Sequence, residues 1–331
     1  MRSLVMVAMA LAAAGCLFAA GAGGPKDARK RRFAAADRKA ALAWQRSSRA
    51  LLAELLKLTD LIEAERAGKI PLRAKVLSTK EVSGHTLAEL ELSSTPGRRM
   101  RAVLTVPRGG GGKRPAVVCI HGHSGNRWTP VRTEKAYRRF GHALTRRGFV
   151  TISTDVGQHK VHEEGRTLVG ERLWDLMRCV SYLSGRSDVD AGRIGCAGLS
   201  LGGEMAMWLA AMDTRVAACV SSGFLTTVAN MRRGHCPCWE FDGLTEHFDF
   251  ADVYILIAPR PLMCQNGRRE PRRGGFPVDV ARGAFAEIHA AYGLFDAADR
   301  AVLAIHDAGH VIDLPSLLSF LESHLALAKG G

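Results

Sequence analysis

An α/β architecture, with a mostly parallel central sheet covered by helices on both faces, is predicted for this 331-residue chain by three observations. From residue 115 to 327, short continuous apolar runs alternate with amphipathic segments of helical period. The apolar runs lack the in–out alternation of a sheet wetted on one face, so both faces are buried. Among them lies Gly198-Leu199-Ser200-Leu201-Gly202-Gly203, a Gly-x-Ser-x-Gly sequence with a strand-like run before it and good helix formers after it.

The first element is not part of that fold. Arg2 and the apolar residues 4–11, followed by small residues, have the form of a secretory signal peptide and are too short for a membrane span. Ala20-Gly21-Ala22 offers a small-x-small cleavage site, giving a signal peptide over residues 1–22. Ala13-Ala14-Gly15-Cys16 offers a second ending, resembling a bacterial lipobox that would put a lipid on Cys16. The expectation is an exported protein (periplasmic, secreted or lipid-anchored in a bacterial envelope), with membrane attachment only through a lipidated Cys16.

Residues 23–37 form a Lys/Arg/Gly/Ala linker. Leu42, Leu51, Leu55, Leu58 and Ile62 recur at helical spacing and predict one amphipathic N-terminal helix across residues 38–66. Linker and helix make an extension, residues 23–71, ahead of a main domain at 72–331. Residues 72–106 read as two or three antiparallel strands. The glycine run ending at Lys113 lacks both the leading glycine and the following Ser/Thr of a phosphate loop, so it is a turn. Strands are then expected at 117–120, 149–153, 193–197, 216–220, 261–264 and 301–305. Helices are expected at 136–147, 168–183, after the serine turn, at 280–292 and at 314–327. Residues 224–258 are long for a connector and read as a mid-chain, lid-like insertion that walls a pocket.

The net charge of +14 is scattered over clusters at 29–32, 138–139 and 268–273. No aromatic-rich basic stripe or nucleic-acid motif accompanies it, which argues for a cationic surface and against a nucleic-acid partner. Cys119, Cys196, Cys219 and Cys264 fall in predicted central strands, where thiols act as small buried hydrophobes. Cys236 and Cys238 are too close in sequence for a relaxed mutual disulfide.

A serine hydroxyl becomes a useful nucleophile when a base takes its proton and a carboxylate orients that base. A serine on a sharp strand-to-helix turn is lifted above the sheet edge, and the next backbone N–H is left free for an oxyanion. Ser200 is therefore the expected nucleophile and the Leu201 amide the first oxyanion donor. The last predicted strand runs into His306-Asp307-Ala308-Gly309-His310, and His310, in the loop, fits the base better than His306. The preceding strand leads to Glu270 among arginines, the expected acid, with Asp279 in reserve at a helix start. The loop His121-Gly122-His123-Ser124-Gly125-Asn126 can converge backbone amides on one point, and its expected donor is the His123 N–H.

These pieces resemble the dienelactone-hydrolase-like and acetyl-xylan-esterase-like branch of the α/β-hydrolase superfamily. The resemblance rests on His121-Gly122-His123-Ser124-Gly125, Trp174-Asp175-Leu176, Gly198 through Gly203, Ala258-Pro259-Arg260-Pro261-Leu262, Asn266-Gly267 and Gly309-His310, and covers residues 75–328. It implies the α/β-hydrolase fold and a Ser–acid–His serine hydrolase acting on carboxylic esters without a cofactor. The branch usually carries aspartate where this chain has Glu270, and its true dienelactone hydrolases use cysteine as nucleophile. Serine here points to esterase chemistry, with a small-molecule or polysaccharide ester, such as an acetyl or sugar ester, as substrate.

Three rival readings remain open in the sequence. A peptidase of the prolyl-oligopeptidase type shares the turn and the order of the three residues, but its usual propeller has no room here. A retired hydrolase scaffold serving as an envelope or binding protein would keep the fold without turnover. A zinc site could draw on His235, Cys236, Cys238 and His247, or on His306 and His310. The Cys-x-Cys spacing lacks the gap of common zinc knuckles, so no metal is expected and the two cysteines are placed in the pocket wall beside Trp239.

Overall fold

The computed structural model describes residues 29–325 except 83 and 110. The signal segment 1–22, with Cys16, lies outside the described residues. The sheet opens with three antiparallel strands, β1 (Lys75–Val82), β2 (His85–Ser93) and β3 (Arg99–Pro107). Six further strands follow: β4 (Arg114–Ile120), β5 (Val150–Thr154), β6 (Val189–Leu199), β7 (Val216–Ser222), β8 (Leu262–Gly267) and β9 (Ala301–His306). They form one nine-stranded sheet in the order β1-β2-β3-β5-β4-β6-β7-β8-β9. From β5 to β9 every pairing is parallel. The order reverses at β4, which lies between β5 and β6, so the loops leaving β4, β5 and β6 open around one crevice.

Helices α1 (Arg38–Leu55) and α2 (Thr59–Arg66) precede the sheet. Four more, α3 (Thr129–Arg132), α4 (Phe140–Arg146), α5 (Leu168–Ser184) and α6 (Leu201–Met212), alternate with β4 to β7. Then come α7 (Val228–Met231), α8 (Leu244–His247), α9 (Phe250–Ile255), α10 (Val278–Gly293) and α11 (Leu314–Leu325). Two cores result, one on each sheet face. Ala116, Val118 and Ile120 of β4 point into the first with Trp174, Trp208 and Tyr254, whereas Val117 and Cys119 point into the second with Phe140, Phe149 and Leu321. Successive side chains of one strand thus feed opposite cores, the reason these runs are apolar throughout. No described helix is long and apolar enough to cross a membrane.

The structure departs from the sequence expectation in three places. The N-terminal helix is two helices, because Lys57 takes a positive φ of 59° between them. The buried line of α1 is Ala41, Gln45, Ser48 and Leu52, and Leu42 stands 38% exposed. The helix docks partly by polar contact: Gln45 Nε2 donates to the Ile255 and Ala258 carbonyls at 3.0 and 2.8 Å, so an apolar count misjudged its inner face. The helix expected at 136–147 begins only at Phe140, because Arg138 and Arg139 have φ of 52° and 46°. Residues 224–258, expected to wall a pocket, form a packed wall that lines the cavity over Ser200. Phe224, Trp239, Phe248, Phe250 and Tyr254 are buried in the first core, and Asp252 accepts from Arg29 and from the Phe33 amide.

Candidate active site

Strand β6 delivers Ser200 to the crevice. Ser200 has φ 63° and ψ −123°, a conformation that L-residues rarely hold, stabilised by its N–H donating to the Ser222 carbonyl at 2.9 Å. The turn is tight enough to require glycine: a Cβ on Gly198 would lie 2.2 Å from the Gly202 oxygen, and one on Gly202 2.3 Å from the Ile120 oxygen. Helix α6 starts directly after, and its first N–H groups, beginning with Leu201, have no intrahelical acceptor.

The loop after β4 closes on the same point. A Cβ on Gly122 would meet Ser200 Cβ at 3.2 Å, so this backbone lies against the serine. Tyr137 Oη accepts from the Gly122 N–H at 2.8 Å, and the Gly125 N–H donates to the Gly122 carbonyl at 3.0 Å. Among the described residues the loop's hydrogen bonds leave out the His123 N–H. His121 sets the loop's height. It is fully buried, which lowers its pKa and keeps it neutral. Its Nε2 accepts from the Val156 amide at 3.0 Å, so Nδ1 carries the proton and donates to the Gly122 carbonyl at 2.7 Å.

The loops after β8 and β9 bring the other two expected residues together. Glu270 Oε1 accepts from His310 Nδ1 at 2.7 Å, with the carboxylate 2% and the imidazole 36% exposed. The Phe276 amide holds Glu270 Oε2 at 3.3 Å, and the Phe276 ring stacks on His310 at 5.5 Å and 16°. His310 reaches the serine turn: a Cβ on Gly223, the residue after Ser222, would lie 2.9 Å from His310 Cε1. Asp279 does not take part. It sits on the surface in a 3.1 Å ion pair with Arg272; desolvation raises its pKa, but the Arg272 hydrogen bond and charge, with backbone N–H donors, outweigh it and hold the carboxyl below its ordinary value. His306 ends β9 half-buried, and its carbonyl accepts from the Arg268 amide.

A cavity of about 40 Å³ opens over Ser200, lined by His123, Leu201, Glu204, Phe224, Met231 and Trp239 among others. Larger hollows lie elsewhere; one of about 830 Å³ sits between α1, α2 and the end of α6 and contains none of these residues. Two neighbours of the cavity escaped sequence reasoning, because charged residues within helical patterns read as solvated. Glu204 is buried on α6, and burial pushes its carboxyl up to about 7, with Arg172 pulling the other way. Arg172, buried on α5, donates to the carbonyls of Cys238 and Gln158. Only the position after Ser200, one turn into a helix facing the sheet, hinted that Glu204 points inward.

The raised carboxyl has a consequence for stability. Below the ordinary Glu range near pH 4.5, Glu204 is neutral in both folded and unfolded chains and costs nothing. As pH rises from about 4.5 to 7, the unfolded chain ionises while the buried carboxyl keeps its proton, and stability is lost; above 7 both ionise and no more is lost. Glu204→Gln should therefore be more stable than the parent by about 3 kcal/mol at pH 8 and by less than about 1 kcal/mol at pH 5. Urea unfolding at the two pH values checks this; an equal difference at both would refute a buried, raised carboxyl.

A serine on a strand-to-helix turn at the C-terminal end of a mostly parallel sheet, in a crevice where the strand order reverses, is the arrangement of the α/β-hydrolase fold. Residues 100–228 match the model described as the Dienelactone hydrolase family. Over 254 residues, 68% of this chain and 84% of the relative, the sequence is 28% identical to YtaP of Bacillus subtilis (strain 168), described as a hydrolase. Among solved structures, a Bacteroides fragilis protein described as an acetyl xylan esterase superposes with a TM-score of 0.64 at 17% identity, covering 86% of this chain and 78% of that one. A methylesterase gives a TM-score of 0.71 at 21% identity, over 89% and 66%. A glucuronoyl esterase from Solibacter usitatus gives 0.59 at 17%, over 76% and 86%. At these identities the structural neighbours speak to the fold.

Proposed function

We propose that the protein is a serine hydrolase of carboxylic esters with a small acyl group, an acetyl or sugar ester being the favoured class. The observation that carries this reading is the 2.7 Å bond from His310 Nδ1 to the buried Glu270, set beside a serine held on a positive-φ turn. With the Nδ1 proton on the carboxylate side, Nε2 is the basic nitrogen. It takes the Ser200 proton as Oγ attacks the ester carbonyl, and the oxyanion forms between the Leu201 and His123 amides. Collapse breaks the carbon–oxygen bond, and His310 returns the proton to the departing alcohol. A water, deprotonated by the same nitrogen, then frees the acid and regenerates Ser200. None of these steps calls on a cofactor. The small cavity favours a short acyl chain, and the esterase names of the neighbours suggest the substrate class.

A panel of acetyl, butyryl and longer esters, methyl and sugar esters, and aminoacyl amides tests the proposal. Acetyl or sugar esters should give the highest kcat/KM, with covalent labelling of Ser200 by a fluorophosphonate. Faster cleavage of amides would assign a peptidase instead, and no labelling of folded protein would assign a binding scaffold.

A further inference from the structure

We infer that His123, His159, Cys236 and Cys238 form a site for one thiophilic cation of the zinc class at the rim of the Ser200 cavity. The four come from three separate segments: the loop after β4, the loop after β5, and the turn between α7 and α8. Their ligand atoms all lie within 4.8 Å of one another. His123 Nε2 is 3.9 Å from Cys238 Sγ and 2.6 Å from His159 Nε2. Zinc bonds of about 2.3 Å to sulfur and 2.0–2.1 Å to nitrogen in a tetrahedron put ligand atoms roughly 3.3–3.8 Å apart. The sulfur–nitrogen edge is thus nearly in place, and the two imidazoles need to part by about 0.7 Å, which rotation of the exposed His159 supplies. A two-sulfur, two-nitrogen set is the soft tetrahedral combination that selects zinc over magnesium or calcium.

The surroundings are built to hold these segments. The buried Arg172 guanidinium donates to the Cys238 carbonyl at 3.1 Å and also to the Gln158 carbonyl, next to His159. On the same helix, Glu171 accepts from the His162 and Glu163 amides at 2.8–2.9 Å. One helix therefore fixes the backbone on both sides of the cluster, as outer partners do in metal sites. The histidines nearest in sequence are engaged elsewhere. His235 Nε2 meets the Gly275 carbonyl at 3.1 Å, and His247 Nδ1 the Gly243 carbonyl at 2.9 Å. Binding displaces one proton from each thiol, while the imidazole proton lying between the two Nε2 atoms moves to Nδ1 of its ring, leaving a Cys2His2 centre with no net charge. The ion would tie the His123 loop to the pocket wall; that catalytic consequence rests on the acyl-transfer reading, while the binding does not.

The test uses the full chain with thiols reduced, stripped of metal and titrated with Zn2+ or Co2+. One equivalent should bind, the Co2+ form should show the visible bands of tetrahedral thiolate coordination, and Zn2+ should protect Cys236 and Cys238 from alkylation. The thiol protection needs no variant, because the other described cysteines are buried. Cys238→Ser and His159→Ala should each weaken binding by more than the roughly 10–100-fold typical of an outer partner. His235→Ala and His247→Ala should bind as the parent does. Binding below one equivalent, a Co2+ spectrum unchanged by Cys238→Ser, or a Cys236–Cys238 disulfide that re-forms in the presence of Zn2+ would each overturn the assignment.

Discussion

Ser200→Ala should lower kcat for ester hydrolysis by roughly ten-thousandfold to a millionfold, the range seen when the nucleophile of a serine hydrolase is removed. The loss should fall on kcat and leave KM within a few-fold, because the hydroxyl acts in bond making and the cavity walls are unchanged. Folding should be preserved. The turn is held by the Ser200 N–H to the Ser222 carbonyl, which alanine keeps, and alanine bears the positive φ no worse than serine does. Unfolding midpoints and steady-state kinetics on the purified variant measure the two effects. Activity within tenfold of the parent would remove Ser200 from the mechanism.

Glu270→Gln should cost about ten-thousandfold in kcat. The carboxylate holds the Nδ1 proton of His310 at 2.7 Å, whereas an amide can donate to Nδ1 and leave the proton on Nε2, where it blocks attack. Glu270→Asp keeps the charge but shortens the reach by one methylene. It should lose less than Gln, with the loss again in kcat, because the backbone amide of Phe276 still fixes one oxygen only if the carboxyl reaches it. Asp279→Asn provides the contrast. Its carboxylate pairs with Arg272 at the surface, and activity should stay within twofold of the parent. A large loss in Asp279→Asn with little in Glu270→Gln would reverse the assignment of the acid.

Much of this was legible because it depends on local pattern. Six continuous apolar runs separated by helical periods specify a parallel sheet buried on both faces, and β4 to β9 occupy those runs. The serine turn was legible for the same reason, since Gly198 and Gly202 leave no room for a Cβ. What misled was chemistry that local pattern does not carry. Lys57 separates two helices, and Arg138 and Arg139 delay the start of another, without a glycine or proline to announce it. Gln45 and Ser48 lie on the inner line of α1, where an apolar count has no term for a side chain that meets carbonyls.

By itself, then, the sequence determined a doubly covered sheet, a serine on a strained turn, and a histidine and carboxylates in the loops that follow the last strands. Tertiary structure alone decided which carboxylate meets His310. Glu270 and Asp279 are nine residues apart, and one is buried against the imidazole while the other pairs with Arg272 in solvent. It alone also brought Cys236 and Cys238 to His123 and His159 and away from the nearer His235 and His247. The physical reason is the same in each case. Spacing along a chain determines what one strand or helix presents, whereas contacts between loops from different strands depend on the order in which the sheet arranges them.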